Sequence, residues 1–273
     1  TAISQQLAEV LGIPVERVNP QVADTNSIGY TSVTGGSGVA FKSGWAAYEA
    51  AQDIKRQFIQ RAAKIWDVDI NNIEYDSGVI QHKSDPELKM DFKEMASLLD
   101  STGGPVVGKS NLNPGGSGGS YAANIVDVDV DIETGKVDIK RFTAIQDAGT
   151  AIHPAYVEGQ IQGGTAQGVG WALYEEYFMG NEGKMENSSF LDYRMPTSLD
   201  LPMIDTVIVE VPNPGHPYGV RGVGEANIAP PLAAIANAIY NAIGTRMYQL
   251  PMNPQKVLEA IKKLYAGQNH SAS

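Results

Sequence analysis

Cysteine is absent from all 273 residues of the sequence, and basic residues are few. Without cysteine the chain forms no disulfide, supplies no thiolate ligand to a metal and binds no iron–sulfur cluster of its own. The 20 Lys and Arg are outnumbered by 31 Asp and Glu, which gives a net charge of −11. Because nucleic acids require a clustered basic surface, this balance predicts no nucleic-acid partner.

Long apolar runs and targeting signals are also missing. The longest apolar stretch, "IAPPLAAIANAIYNAIG", is interrupted by prolines, Asn and Tyr, whereas a membrane-spanning helix needs about 20 consecutive apolar residues. No signal peptide is visible. We therefore expect a soluble, cytoplasmic protein with no membrane partner.

Hydrophobic residues make up 42% of the chain, which is enough for a sizeable core. Their periodicity predicts a mixed α+β fold. The predicted helices lie at residues 1–12, 39–66, 91–99, 155–177, 229–247 and 254–265. The predicted strands lie at residues 14–22, in two segments within 67–82 joined at Asp76-Ser77-Gly78, in a hairpin joined at Glu133-Thr134-Gly135, and near residues 183–189 and 205–211.

These elements suggest a division of the chain into subdomains. The expected parts are a first α+β subdomain at residues 1–100, a Gly/Pro-rich linker or site loop at 101–120, a second α+β subdomain at 121–265 and a tail at 266–273.

One segment matches a nucleotide-binding motif. In "GGPVVGKS", Gly103, Gly108, Lys109 and Ser110 have the spacing of a phosphate-binding loop. That loop works only between a strand and a helix, whose N-terminal N–H groups face the phosphates. The preceding "FKEMASLLD" is predicted to be helical, and the following "NLNPGGSGG" contains too much Pro and Gly to form a helix. The sequence therefore argues against a nucleotide-binding module.

A loop of glycines and hydroxyl side chains precedes the long helix predicted at 39–66. This segment, "TSVTGGSGVAF" from Thr31 to Phe41, offers backbone N–H donors, hydroxyl groups and a helix N-terminus. Together these groups suit an anionic or polar ligand. An ordinary capped helix start explains the same pattern equally well.

The helix predicted near residues 155–177 is rich in glycine. Its glycines are Gly159, Gly163, Gly164, Gly168 and Gly170. Each costs about 1 kcal/mol relative to alanine in a helix interior, so another group must approach this backbone closely. The candidates are a neighbouring helix or a ligand, and Gln167 would present both an amide donor and an acceptor to such a ligand.

One carboxylate is a candidate general base. Glu225 follows the glycines of "GVRGVG" and precedes Pro230-Pro231, which begin the next predicted helix. A position near a positive helix end suits a negatively charged base. The alternative is a glutamate that only complements the helix dipole.

The four histidines show no catalytic or metal-binding spacing. His153 precedes Pro154 and is predicted to cap a helix, because no second ligand lies nearby at metal spacing. His82, His216 and His270 are similarly isolated. No Gly-x-Ser-x-Gly motif lies between a convincing strand and helix, so hydrolysis by a serine nucleophile is not expected.

Three motifs in this order resemble the molybdenum hydroxylases of the xanthine oxidase and aldehyde oxidase family. They are "TSVTGGSGVAFKSGWAAYEAA", "DAGTAIHPAYVEGQIQGGTAQGVGWALYEE" and "GVRGVGEANIAPPLAAIANAI". Their order and spacing are similar to those of the C-terminal part of the family's molybdenum-cofactor-binding domain, over nearly all of the chain. The resemblance implies the α+β fold of that half-domain, with mixed sheets, a β-hairpin and several packed helices.

The resemblance implies a role for each motif. The first motif corresponds to the loop that holds the pterin, and its members are Gly35, Gly36, Ser37, Gly38 and Val39. Gln167 and Gly224 match cofactor-contacting positions, and Glu225 matches the active-site base of the family's "GVGE" motif. Apart from the resemblance, Arg221 lies four residues before Glu225, where it would orient an anionic substrate, although a buried salt bridge explains it as well. No residue of this chain would ligate molybdenum directly, because the family holds the metal through the dithiolene of the pterin.

The same resemblance implies cofactors and partners. The expected cofactor is a molybdopterin-type molybdenum cofactor, of which the cytosine dinucleotide is one form. Iron–sulfur clusters and FAD would lie on partner chains or missing domains. The family's cofactor domain is much longer than this chain, so the expected partners are its N-terminal molybdopterin-binding half or subunit, an iron–sulfur subunit and an FAD subunit, in a dimer of the hetero-oligomer.

The activity implied is hydroxylation of an N-heterocycle of the purine or nicotinate type, or of an aldehyde, with oxygen from water. A metal lowers the pKa of bound water, and Glu225 would complete the removal of its proton. The alternative is a noncatalytic scaffold or assembly subunit of the same kind of complex. The presence of Gly35–Val39, Gln167 and Glu225 favours the enzyme.

Overall fold

The computed structural model describes residues 1–22, 24, 26, 33–116 and 118–271, with side chains described as far as residue 266. The chain divides into two compact units. Unit 1 contains Thr1–Gly118 and Pro212–Gly222, and unit 2 contains Gly119–Val211 and Val223–Ser273. Segment 212–222 therefore packs with unit 1, whereas the predicted second subdomain, residues 121–265, included it.

Unit 1 combines helices with a small antiparallel sheet of strand order β1-β2-β3. Its elements are α1 (Ala2–Leu11), α2 (Gly44–Trp66), β1 (Ile73–Asp76), β2 (Val79–His82), β3 (Lys89–Asp91), α3 (Phe92–Ser97) and α4 (Leu99–Thr102). Apolar residues at turn spacing give α2 one buried face. From that face Phe58 packs in one core with Ile80 of β2 and Met95 of α3.

The prediction for unit 1 differs from the structure at two places. Residues 14–22 contain no strand, and Val15–Arg17 forms a single 3₁₀ turn instead. Pro14 and Pro20 have no N–H group to donate to a strand ladder, which disfavours the predicted strand. Strand β3 is absent from the prediction, because three residues are too few to show a two-residue alternation.

Unit 2 packs three long helices in one core with a mixed sheet of strand order β4-β5-β6. Its elements are β4 (Tyr121–Val130), β5 (Val137–Asp147), α5 (Pro154–Leu173), β6 (Ile204–Val209), α6 (Pro230–Ile243) and α7 (Pro254–Ser271). The β4–β5 hairpin is confirmed, and β6 lies parallel to β5. Parallel neighbours need a crossover connection, which α5 and the loop after it provide. Phe142 of β5, Ile161 of α5 and Ile235 of α6 share the core. Helices packed with an antiparallel sheet in unit 1 and with a mixed sheet in unit 2 confirm the predicted α+β class.

One strand prediction for unit 2 is wrong. Residues 183–189 form no strand, and this region has one isolated bridge between Met179 and Met185. Gly183 has a φ of 72°, which ends an extended run there. The expected tail at 266–273 is helical as far as Ser271, because α7 continues through it. Residues 272 and 273 lie outside the described residues.

The segment that matched a phosphate-binding loop, residues 103–110, runs along α2 and is hydrogen-bonded to it. Residues 105–116 form neither helix nor strand, so the required helix after the loop is missing. The Gln57 side-chain amide donates to Val107 O at 3.0 Å, and Lys109 N–H donates to Asp53 Oδ2 at 3.1 Å. A Cβ on Gly108 would lie 2.3 Å from a backbone carbonyl of α2, so close packing explains this glycine. Across the described ranges, no helix has the length and apolar character needed to cross a membrane.

Candidate active site

The predicted pterin loop in unit 1 contains a left-handed turn. Gly36 and Ser37 have φ values of 62° and 56°. This region is ordinary for glycine but uncommon for serine. A Cβ on Gly35 or Gly36 would meet nothing within 4 Å, so space beside the turn is open. Thr31, which begins the motif, lies outside the described residues.

A single π-helical turn, Val39–Ser43, connects this loop to α2. Such turns are rare and frequently occur at functional sites. Two side chains from elsewhere in unit 1 hold its carbonyl groups. The Gln6 side-chain amide donates to Ala40 O at 3.0 Å, and His216 Nε2 lies 3.1 Å from Phe41 O. The start of α2 is therefore fixed against both α1 and the segment that carries His216.

His216, which is isolated from other histidines in the sequence, is buried. Its Nδ1 accepts a hydrogen bond from Tyr218 N–H at 3.1 Å, which assigns the proton to Nε2 and makes Nε2 the donor to Phe41 O. The ring also packs on Phe41 and Trp45, with centroid distances of 4.8 and 5.7 Å. Burial lowers the pKa of His216, and the hydrogen bond to Phe41 partly opposes that change. The neutral histidine thus joins two segments, because Nε2 donates to Phe41 O and Nδ1 accepts from Tyr218 N–H.

Backbone hydrogen bonds around His216 stabilise the segment that carries Arg221. Gly219 N–H donates to His216 O at 2.9 Å, and Asn213 N–H donates to Gly219 O at 2.9 Å. Arg221 is partly buried at the end of this segment. Within unit 1 the structure therefore attaches the Arg221 segment, through His216, to the helical turn that follows the predicted pterin loop.

Two glycines of α5 in unit 2 are explained by close packing. A Cβ on Gly164 would lie 3.0 Å from Gly224 O, and one on Gly168 would lie 2.5 Å from Ile228 O and 2.6 Å from Pro231 Cγ. The chain from Gly224 to Pro231 therefore lies directly on this face of α5. Of the two explanations that the sequence left open, chain packing accounts for these positions.

Another face of α5 is open. A Cβ on Gly159 or Gly163 would meet nothing within 4 Å. Gln167 follows at the same spacing of four, so it shares that helix face. All three residues are exposed. Unit 2 thus presents an amide side chain beside two positions that lack side chains.

Glu225 lies on the turn that packs on α5. Ala226 N–H donates to Val223 O, and Ile228 N–H donates to Glu225 O, both at 3.2 Å. The Glu225 side chain is exposed. Helix α6 begins shortly afterwards with prolines in its first turn, as the sequence predicts.

A network of buried side-chain amides is hydrogen-bonded to the backbone of this turn. The side chain of Asn227 donates to Gln146 Oε1 at 2.5 Å, and the side chain of Gln146 donates to Val223 O at 3.1 Å. Asn124 of β4 donates to Asn227 Oδ1 at 3.0 Å. Gln146 and Asn227 are fully buried. Because buried amides are costly unless they are paired, this network fixes the backbone on both sides of Glu225.

These amides were not among the predicted residues, although the sequence carries a signal for two of them. Asn124 and Gln146 lie at inward-facing positions of β4 and β5, where the alternation of the hairpin otherwise places apolar residues. Polar side chains at core positions require partners inside the protein. His153 behaves as predicted, because its Nδ1 accepts from Tyr156 N–H at the start of α5.

The candidate residues are divided between the two units. Gly35–Val39 and Arg221 belong to unit 1, whereas Gln167, Gly224 and Glu225 belong to unit 2. In the described part of the chain, no group of three His, Cys, Asp or Glu side chains is arranged to hold a metal ion.

A comparison with known families decides the family of this chain. Residues 1–202 match the family described as the Molybdopterin cofactor-binding domain. The chain belongs to that family. The resemblance to the molybdenum hydroxylases of the xanthine oxidase family is thereby confirmed for a partial cofactor-binding domain.

Several relatives of this molybdopterin-binding chain are known. The xanthine dehydrogenase molybdenum-binding subunit of Escherichia coli O157:H7 is 32% identical over 265 residues, which cover 95% of this chain and 35% of the relative. The nicotine 6-hydroxylase large subunit of Paenarthrobacter nicotinovorans is 31% identical over 276 residues, which cover 96% of this chain and 34% of the relative. The chain therefore spans about a third of the length of these relatives.

Solved structures share the fold. Reconstituted CO dehydrogenase from Oligotropha carboxidovorans superposes with a TM-score of 0.87 at 28% identity, over 98% of this chain and 34% of that chain. Quinoline 2-oxidoreductase from Pseudomonas putida 86 superposes with a TM-score of 0.83 at 27% identity, over 96% of this chain and 35% of that chain.

The residues of this molybdopterin-binding chain fit such a group. A pterin presents ring donors and acceptors, for which backbone groups and side-chain amides are suitable partners. Unit 1 offers the backbone of a turn with open space at Gly35 and Gly36, and unit 2 offers Gln167 beside Gly159 and Gly163. In both units glycine leaves room where a side chain would otherwise stand.

Proposed function

We propose that this chain is the part of a molybdenum hydroxylase that supplies the base and one portion of the cofactor site. The assembled enzyme would hydroxylate an N-heterocycle of the purine or nicotinate type, or an aldehyde, with oxygen from water. The observation that carries this proposal is the exposed Glu225 on a turn fixed by buried amides, in a chain of the molybdopterin-binding family. The names nicotine 6-hydroxylase and quinoline 2-oxidoreductase among the similar proteins support a heterocyclic substrate.

Cofactor contacts are proposed for each unit by itself. Gly35–Val39 would hold the pterin through backbone groups and the Ser37 hydroxyl, while Gln167 and the backbone at Gly224 would contact the cofactor from unit 2. When bound, the cofactor would supply a metal that activates a water-derived oxygen, and it would accept the hydrogen of the attacked carbon together with the two electrons of the broken C–H bond. The cytosine dinucleotide is one form that the proposal includes.

Glu225 is proposed as the general base. Its carboxylate would accept the proton that the water-derived oxygen loses as that oxygen attacks an electron-poor carbon. The turn is held by Asn227, Gln146 and α5, so the carboxylate needs little reorganisation before the reaction. Arg221 is proposed to orient an anionic group of the substrate.

The activity also requires partners. We propose that the N-terminal part of the molybdopterin domain, on the same or another polypeptide, completes the site. An iron–sulfur subunit and an FAD subunit would carry electrons away, and the complete assembly would be a dimer of the hetero-oligomer. The relatives described as a molybdenum-binding subunit and as a large subunit support an enzyme of several chains.

The variant Glu225→Gln tests the proposal in the assembled enzyme. The amide has nearly the same shape but takes up no proton, so turnover should fall by about 10²–10⁴-fold while molybdenum and pterin contents stay unchanged. Metal analysis, pterin fluorescence and steady-state kinetics provide the measurements. The control is Glu133→Gln, which changes an exposed glutamate in the β4–β5 turn and should leave turnover unchanged.

Two results would contradict this role of Glu225. Loss of molybdenum or pterin from Glu225→Gln would make the glutamate structural. A native assembly that contains this chain but no molybdenum would favour the noncatalytic scaffold.

A further inference from the structure

The connection between α5 and β6, residues 174–203, exposes large apolar side chains; we call it the apolar loop. Phe190, Leu191, Leu199 and Met203 are 85–95% exposed. The loop contains no helix and no strand, and its one bridge joins Met179 to Met185. Single exposed apolar residues are common on proteins, but a concentration of them in one segment marks an interaction surface.

The first part of the loop has a fixed backbone. Asn187 is buried, and its side chain accepts from Phe178 N–H at 2.9 Å and donates to Glu176 O at 2.7 Å. Gly180 N–H donates to Lys184 O at 2.8 Å. These bonds span the turn from both sides, so the exposure of its apolar side chains does not arise from a loose chain.

The second part is tied to the first and closed by a turn of its own. The Tyr193 hydroxyl donates to Glu175 Oε2 at 2.7 Å, and the Tyr177 and Tyr193 rings are 5.8 Å apart. Thr197 donates to Asp200 Oδ2 from both its N–H and its hydroxyl at 2.7 Å. Segments that stay disordered are poor in large hydrophobic residues. This loop combines such residues with specific internal hydrogen bonds, which is typical of a preformed docking surface.

Two observations indicate what covers the loop. Residues 1–202 match the molybdopterin cofactor-binding family, and this range includes nearly all of the loop. The relatives that contain this fold are about three times as long, because the chain covers only 34–35% of them. These relatives therefore contain a large amount of polypeptide that has no counterpart in this chain.

We propose that the apolar loop is the docking surface for the rest of the molybdopterin protein, the part that the relatives carry and this chain lacks. The proposal rests on the proposed function, since it assumes that this chain works within such an assembly. The covering surface would be apolar at its centre, where it receives Phe190, Leu191, Leu199 and Met203, as protein interfaces are.

Cross-linking of the native assembly tests which polypeptide covers the loop. Lys184 is exposed within the loop and accepts a lysine-reactive cross-linker. Its cross-links should reach the polypeptide that aligns with the remaining two-thirds of the relatives. Cross-links only to a second copy of residues 1–273, to an iron–sulfur chain or to a flavin chain would identify another occupant and overturn the proposal.

A double variant, Leu191→Asp with Leu199→Asp, tests whether the contact is needed. Where the rest of the domain is a separate chain, at least tenfold less of it should co-purify with the variant, since buried aspartates destabilise an apolar interface. Where it continues on the same polypeptide, hydrogen exchange of the loop amides should be at least tenfold faster. The matched control is Tyr248→Asp, which places a charge at another residue of unit 2 that is 91% exposed.

Equal behaviour of the double variant and of Tyr248→Asp would overturn the proposal. The circular dichroism of both proteins shows whether unit 2 is folded, and a misfolded double variant is replaced by Leu199→Asp alone. Molybdenum content separates this test from the proposed function. A wild-type assembly without molybdenum would refute the proposed function and leave the docking measurement valid. A molybdenum-containing assembly that is unchanged by the loop variants would refute only the docking surface.

Discussion

The two units hold their candidate residues by different kinds of buried polar group. In unit 1 the His216 imidazole holds Phe41 O and the segment that leads to Arg221. In unit 2 the amides of Gln146 and Asn227 hold the turn of Glu225. An imidazole gains a proton near neutral pH, whereas an amide does not titrate in this range. Acid should therefore weaken the support in unit 1 before it affects the support in unit 2.

The largest effect on the free energy of unfolding is expected at Gly168 of α5, where unit 2 has no room for a side chain. Gly168→Ala would place a methyl group 2.5 Å from Ile228 O and 2.6 Å from Pro231. Overpacking of this kind lowers the free energy of unfolding by about 3 kcal/mol, despite the better helix propensity of alanine. Urea unfolding of unit 2 gives the measurement.

Gly159→Ala is the matched control on the open face of the same helix. Its added Cβ meets nothing within 4 Å, so the variant should raise the free energy of unfolding by about 0.5–1 kcal/mol. Equal effects of the two variants would show that the turn of Glu225 does not rest on α5.

An intermediate effect is expected for Asn227→Ala. This variant removes the donor to Gln146 Oε1 and the acceptor for Asn124, so buried amide groups lose their partners and unfolding becomes easier by about 2 kcal/mol. Thermal unfolding at pH 7.5 and at pH 5.5 should show the same loss of stability on substitution, because the amide network is uncharged. The exposed Asn181→Ala is the control, and a loss that depends strongly on pH would break the contrast between the units.

The smallest effect is the pH dependence of unit 1. Burial lowers the pKa of folded His216, so the unfolded chain takes up a proton first as the pH falls below the ordinary value of about 6.5. Stability is therefore complete above about pH 6.5 and is lost as the pH falls through that value towards the folded pKa. Chemical unfolding of unit 1 between pH 8 and 5 measures this slope.

His216→Gln provides the comparison for that slope. Glutamine offers a donor and an acceptor but does not titrate, so this variant should be less stable than the wild type at pH 7.5 and should lose the additional decline below pH 6.5. A decline of unchanged size would place the responsible group elsewhere.

Part of the fold follows from local pattern. The β4–β5 hairpin is readable because polar and apolar residues alternate over two long strands around a turn that ends at Gly135, where φ is 77°. The strand prediction at 183–189 failed because this short segment, in which Met185 is the one large apolar residue, has no alternation to support a strand, and Gly183 turns the chain there. The prediction at 14–22 failed because its prolines limit strand pairing.

The supports of the candidate residues could not be read in the same way. His216 and Phe41 are 175 residues apart, and nothing in either local sequence points to the other. Asn124 and Gln146 are visible as polar residues in apolar positions of a hairpin, but their shared partner, Asn227, is known only once α6 and the sheet are packed together.

The sequence by itself determined which residues are candidates, because glycine patterns, turn residues and motif order are local properties of the chain. It identified Gly35–Val39, Gln167 and Glu225 and the family to which they point. The tertiary structure alone decided how these residues are held in place. It also decided which glycines of α5 pack against other atoms and which have free space beside them, and which apolar side chains remain exposed. These properties depend on contacts between residues far apart in the chain, and such contacts form only when the backbone closes on itself.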